Sequence, residues 1–182
     1  MDYLSVTEII EEVLSGKTQA FCKIVETYDT MVYAVAFRFL HDSEEAKDVS
    51  QETFLKAFQH LSDYDKKVKF STWLYVIVSR LCLDTLKSAR YRRKQKLSAW
   101  HKEPVSEETP LHAMVHQDLE QQLEFWIGSL SNKQKWVFIL CDLQQLPMQE
   151  VKEITGMTES KISSNLYLAR RAIKQKYKQY YQ

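Results

Sequence analysis

Between Phe21 and Leu40 an apolar side chain returns every three or four positions: Phe21, Ile24, Val25, Tyr28, Met31, Val32, Val35, Ala36, Phe39 and Leu40. That spacing paints one apolar face on a helix and cannot alternate along a strand, so it predicts a helix of about six turns over Thr18–Leu40. Such a stripe is stable only when other elements cover it. With three Gly and three Pro in 182 residues, the chain lacks the breakers that sheet and tight turns require. The partners should therefore be helices, and the fold all-α.

The neighbours follow from caps and period. Ser5 or Thr7 can open a short helix through Leu14, stopped by Gly16. Asp42 with Glu45 forms a capping-box pattern for a helix whose inward stripe is Ala46, Val49, Thr53, Ala57, Phe58 and Leu61, with Phe54 at the edge. Asp48, Gln51, Glu52 and Lys56 then turn outward. Ser62 to Lys69 breaks the period and reads as a connection, after which Ser71 can cap a helix with Leu74, Ile77, Val78, Leu81 and Cys82 inward and Arg80, Asp84 and Lys87 on its other side.

From Ala89 to about His116 periodicity is weak and Pro104 and Pro110 intervene, the signature of a flexible linker between domains. We therefore expect two small helical domains, residues 1–90 and 118–182, with 91–117 between them. The second starts with Leu119, Leu123, Trp126, Ile127 and Leu130 on one face. Ser131 and Gln134 form a capping box before Trp136, Val137, Ile139, Leu140 and Leu143. Pro147 suits the first position of a short helix through Ile154, Gly156 the turn, and Thr158 the cap of a last helix with Ile162, Leu166, Ala169, Ile173 and Tyr177 inward. A short helix, a glycine turn and a longer basic helix make a helix-turn-helix pattern.

Net charge is only +1, but it is unevenly spread. Met1 to Ala89 holds 10 Lys+Arg against 14 Asp+Glu, a balance of −4; Arg90 to Lys102 holds 6 basic residues and no acid; Glu159 to Gln182 holds 6 against 1, or +5. Both basic blocks fall where DNA contact is expected. Cys22, Cys82 and Cys141 are far apart in apolar patterns, which implies buried free thiols in a reducing cytoplasm. The acidic N-terminus lacks the basic region of a signal peptide, and no apolar run reaches membrane-spanning length.

In the helix-turn-helix, Ser160, Lys161, Ser163, Ser164 and Asn165 are placed to reach base edges, and Arg170, Arg171 and Lys174 to reach phosphates. Between the two helices of the first domain, Tyr64, Lys66, Lys67 and Lys69 with Tyr75 combine rings and cations suited to a single strand. Phe70 and Leu74 read as core, and Trp73 stays open between core and base platform. Glu44, Glu45, Asp48 and Glu52 share a helix face but lack the His and the matching acidic helix of a bundle metal site. His112 and His116 have no third ligand. No glycine-rich phosphate loop or nucleophile–base pair is visible, which leaves no basis for an enzyme, a cofactor or a small-molecule substrate. One other reading is a helix-turn-helix regulator acting without a polymerase, and another a carboxylate-rich helical enzyme.

Two stretches carry a family resemblance. Phe21 to Lys87, including DVSQETFLKAF and FSTWLYVIVSRLCLDTLK, and Leu130 to Arg171, including VFILCDLQQLPMQEVKEITGMTESKISSNLYLAR, resemble the second and fourth domains of extracytoplasmic-function sigma factors. The resemblance implies a promoter-specificity subunit of bacterial RNA polymerase that directs transcription initiation. Asp48, Gln51, Glu52 and Leu55 would meet the clamp helices of the largest polymerase subunit. Asp63, Tyr64, Lys66, Lys67 and Lys69, with Trp73, Tyr75, Arg80, Asp84 and Lys87 behind them, would recognise the −10 element and trap a flipped base. The helix-turn-helix would read the −35 element, and its domain would touch the polymerase flap. The linker would pass near the RNA exit path, and an anti-sigma factor would hold activity off. The chain departs from the pattern at Arg80 (usually Asn), at Val76 (often Arg), at Lys161, Ser163 and Asn165 (usually Thr, Lys and Arg) and at Leu168 (commonly Arg). The base contacts therefore do not transfer with the fold.

Overall fold

The computed structural model describes residues 5–88 and 122–180, and among these every regular element is helical. In the first half, α1 is Val6–Leu14, α2 Phe21–Leu40, α3 Ser43–Gln59 and α4 Phe70–Lys87. In the second, residues 122–128 form α5, Asn132–Phe138 α6, Met148–Thr155 α7 and Glu159–Tyr180 α8. A π-turn, Ile139–Leu143, prolongs α6. The expected linker, its basic block and His112 and His116 lie outside the described residues.

Most helix ends are where the side chains place them. Ser5 Oγ accepts the Glu8 N–H at 3.3 Å while Glu8 Oε2 accepts the Ser5 N–H at 2.6 Å, a reciprocal cap on α1. Ser131 and Gln134 do the same for α6. Asp42 Oδ1 accepts the N–H groups of Glu44 and Glu45 at 3.1 and 3.0 Å at the start of α3. Gly156 closes α7 at φ +65°, left-handed backbone that only glycine adopts without strain, and its N–H bonds Lys152 at 2.8 Å.

Four expectations shift. Thr18–Ala20 is a 3₁₀ turn, so α2 starts at Phe21. Helix α4 begins at Phe70 with no side-chain cap, which puts Ser71 inside the first turn. Pro147 is the extended residue before α7 (ψ 148°) instead of its first helical one. Phe54 and Phe58 exchange roles: Phe54 is buried and Phe58 is 38% exposed. The cause is phase, since at about 100° per residue Phe58 points roughly 135° away from the centre of the Ala46–Val49–Thr53–Ala57 stripe, and Phe54 only about 95°.

Helices α2, α3 and α4 pack around Ile24, Val32, Val35, Phe39, Leu74 and Val78, all closed to solvent. The second half is centred on Ile127, Val137, Ile139, Leu140 and Ile162, and the two sets join into one continuous apolar cluster. Truncating such a residue to alanine costs about 2–5 kcal/mol. Tyr177, expected inward, is 47% exposed, with its ring T-shaped to that of Trp126 at 6.2 Å between centroids. Cys82 is buried, but Cys22 is exposed and Cys141 half-buried, so the thiols are not uniformly core.

Candidate polymerase and promoter interfaces

The outward face of α3 is built by its phase. Asp48, Gln51 and Leu55 are exposed, and Phe58 joins them on the same side, its ring edge held at 5.2 Å from Phe21. Glu52 flanks this strip, half-buried and paired with Lys56 at 3.3 Å. An apolar pair (Leu55, Phe58) beside carboxylates suits a partner helix with its own apolar and basic side chains. Sequence reasoning missed Phe58, although its spacing of three from Leu55 and seven from Gln51 was legible.

The connection from Leu61 to Lys69 is stiffened from both ends. Asp65 Oδ1 accepts the Lys67 N–H at 2.9 Å, a tight turn, and the Tyr64 hydroxyl donates to the Val68 carbonyl. Lys66 is tied to Glu11 of α1 at 2.6 Å, and Asp63 to His60 at 3.1 Å. Beneath lies a pile of rings in which Tyr64, Phe70 and Trp73 meet at 5.2–5.4 Å, and Tyr28 touches Phe70 at 5.6 Å. Trp73 is thus neither fully core nor free: it is half-buried, packed on Tyr64 and Phe70. Lys67 and Arg80 are exposed, and Asp84 pairs with Lys87 at 3.1 Å.

Tyr75 is not on this surface. It is 4% exposed, its hydroxyl donates to Gln144 Oε1 of the second half at 2.8 Å, and burial raises its pKa. The reason is again phase: Tyr75 shares its side of α4 with Thr72, Val78, Ser79, Cys82 and Leu86, all of them buried.

In the second half, the start of α8 displays Ser160, Lys161, Ser163 and Ser164 to solvent, while Ile162 and Ala169 anchor it. Asn165 is half-buried, and its amide donates to the Lys161 carbonyl at 2.7 Å. Arg171 is exposed. Arg170 instead clasps Asp142 of the π-turn with two bonds, at 2.6 and 2.9 Å, and that carboxylate raises its pKa. The pair braces α8 against the π-turn, and the guanidinium expected to meet phosphate is engaged by that carboxylate.

The two halves meet through polar groups that sequence reasoning did not single out. Lys69 Nζ and Thr72 Oγ1 both reach the Glu150 carboxylate, at 2.5 and 2.9 Å, and the Lys69 contact lowers the Glu150 pKa. Glu124 of α5 lies 3.4 Å from Arg38 and 3.8 Å from His41. Lys135 is 2% exposed and donates to the Phe39 carbonyl at 3.0 Å; burial brings its pKa down to about 8. Its place was legible, because Phe138 and Ile139 stand three and four residues on, which sets Lys135 on an apolar face. Among the described residues no three His, Cys, Asp or Glu side chains gather as a metal site, and no helix is long and apolar enough to cross a membrane.

The architecture has matches. The family model "Sigma-70 region 2" covers residues 24–96, and "Sigma-70, region 4" covers residues 120–173. Among curated relatives, the RNA polymerase sigma factor YlaC of Bacillus subtilis is 30% identical, over 76% of this chain and 80% of its own. The chain belongs to the extracytoplasmic-function group of sigma-70 factors. The ECF sigma factor SigW of the same organism is 26% identical, over 94% of this chain and 96% of its own. Two solved structures share the fold at 20% identity. They are the sigma factor RpoE of Bartonella quintana, in complex with the anti-sigma factor NepR (TM-score 0.68, 87% of this chain and 96% of that one), and CnrH, in complex with the cytosolic domain of CnrY (0.66, 91% and 92%). As a sigma factor, this chain directs RNA polymerase to promoters for transcription initiation.

Proposed function

We propose that three surfaces divide the work of initiation and that none of them performs catalysis. The Asp48–Gln51–Leu55–Phe58 strip of α3, flanked by Glu52, docks on the clamp helices of core polymerase. The Asp63–Lys69 connection and the exposed edge of α4, with Trp73, Arg80, Asp84 and Lys87, hold the unpaired −10 strand. The start of α8, from Ser160 to Asn165, reads the −35 duplex, with Arg171 on phosphate, and the second half also touches the flap. The observation that carries the reading is the closeness of the first two surfaces: a carboxylate–apolar helix face and a lysine loop over stacked rings lie on one three-helix unit. That unit can tie polymerase to a melted strand, because aromatic rings stack on unpaired bases and lysines neutralise the backbone.

By analogy with RpoE and CnrH, solved with NepR and CnrY, an anti-sigma factor is the proposed regulator, and the cytoplasm the proposed site of action. Permanganate footprinting of holoenzyme on a supercoiled promoter template is the test. Unpaired thymines should appear upstream of the start with the intact chain, fade with Lys67→Ala and be absent with core polymerase alone. An intact duplex in the presence of the holoenzyme would contradict the strand-holding role.

A further inference from the structure

We propose that Glu150 is an internal ligand of the −10 strand surface, so that the second half of the chain closes over the first and competes with single-stranded DNA. The inference rests on the strand-binding assignment above. Three neighbouring groups of the first half, Lys69 Nζ, Thr72 Oγ1 and the Tyr75 hydroxyl, are all engaged by α7 or the segment before it. Glu150 sets one carboxylate oxygen on Lys69 at 2.5 Å and the other on Thr72 at 2.9 Å, a cation and a hydroxyl of the kind that hold a phosphodiester. Gln144 takes Tyr75 at 2.8 Å, and the π-turn delivers it there: the Gln144 N–H bonds Ile139, and Gln145 follows at φ +52°. π-Turns recur at functional sites. Glu150 itself is 15% exposed whereas Lys69 is 70% exposed, so the carboxylate is the covered partner and the lysine the one still reachable from solvent.

The closure is reversible by construction. Beyond the apolar contact it holds the Lys69–Glu150 pair, the Arg38–Glu124 pair and the Tyr75–Gln144 bond, and ion pairs that solvent reaches contribute little each and weaken with salt. It also buries Lys135 against a single carbonyl, a position that disfavours its charged form. A polyanionic strand, or a polymerase that separates the two halves, would therefore displace Glu150 without unfolding either helix set. The second half would then be free to reach its own duplex.

The test uses the full chain. Wild type, Glu150→Gln and Glu150→Lys are compared for binding of a fluorescein-labelled single-stranded DNA pool of random sequence at low salt, and for radius of gyration by X-ray scattering. The expected result is about three- to tenfold tighter strand binding by Glu150→Gln, as the competent open population rises, with a larger radius for both variants. The charge-reversed pair Lys69→Glu with Glu150→Lys should regain the wild-type radius, a readout independent of DNA. Unchanged strand affinity with unchanged radius in both single variants would overturn the inference. So would a larger radius with unchanged affinity, since the halves would then separate without competing. Transcription by reconstituted holoenzyme separates this from the parent reading: if Glu150→Gln and wild type both initiate, the sigma assignment stands whatever the latch does.

Discussion

Lys135→Met offers the sharpest physical check on how the two halves meet. The substitution keeps an unbranched chain of similar volume against the apolar cluster but removes the ammonium and its bond to the Phe39 carbonyl. Burial lowers the Lys135 pKa from an ordinary 10.5 to about 8. At about 1.4 kcal/mol per pKa unit, the packed state bears a cost of about 3 kcal/mol while the lysine is charged. The sign follows from proton counts. Below pH 8 both packed and unfolded lysines are protonated and the full cost is present. Between 8 and 10.5 the packed form releases its proton first, so the unfolded state binds more protons and stability rises. Cys82, whose pKa burial raises, works in the opposite direction, since its contribution is lost as pH climbs. The Lys135 charge in turn lowers the Cys82 pKa, so both chains carry Cys82→Ala and their difference then isolates Lys135.

Urea unfolding followed by circular dichroism at pH 7.5 and 9.5 makes the comparison. Lys135→Met should be the more stable chain at pH 7.5, because the lost bond to one carbonyl, about 1–3 kcal/mol, offsets only part of the removed cost. Its advantage should shrink by about 2 kcal/mol at pH 9.5. A stability difference that stays constant between the two pH values would refute the reasoning, and with it the burial of a charged lysine between the halves.

Glu52→Arg should weaken capture of core polymerase, as should Asp48→Ala, while circular dichroism stays unchanged; capture at wild-type strength would remove the α3 face from the interface. Leu55→Asp should do the same more strongly, since it puts a charge at the exposed apolar centre of that face. Lys161→Ala should weaken selection of the −35 element by about 1–3 kcal/mol at one base position if it reads a base edge, and uniformly across promoters if it meets phosphate; competition binding among −35 variants distinguishes the two. Gly156→Ala should lower stability by about 1 kcal/mol, because a side chain is strained at φ +65° even with open space around it; an unchanged melting curve would show that the turn adopts another backbone.

Period and caps made much of the fold legible. The Phe21–Leu40 stripe, the Ser5 and Ser131 boxes and the Gly156 turn each depend on residues within one or two turns of each other, and such local rules survive packing. The errors came from phase at the flanks of a stripe. Phe58 was read as core from spacing at the flank of its stripe, and Tyr75 as surface from its chemistry; Tyr177, by contrast, keeps the phase of Ile162 and Ala169 but lies in the last turn of α8. Illegible in principle were the pairings between the halves. Glu150 with Lys69, and Gln144 with Tyr75, join residues far apart in sequence, and nothing local marks one solvent-seeking carboxylate among many as a covered partner. Arg170 shows the same limit: its cation was rightly seen on a basic helix, but Asp142 was needed to reveal it as a brace.

The central claim is that this chain gives core RNA polymerase a promoter choice, and mapping transcript 5′ ends on total genomic DNA tests it most directly. Core polymerase with the purified chain should produce a set of sharp starts sharing two spaced upstream elements, absent with core alone and lost with Glu52→Arg. DNA binding by the chain with no new starts would contradict the claim.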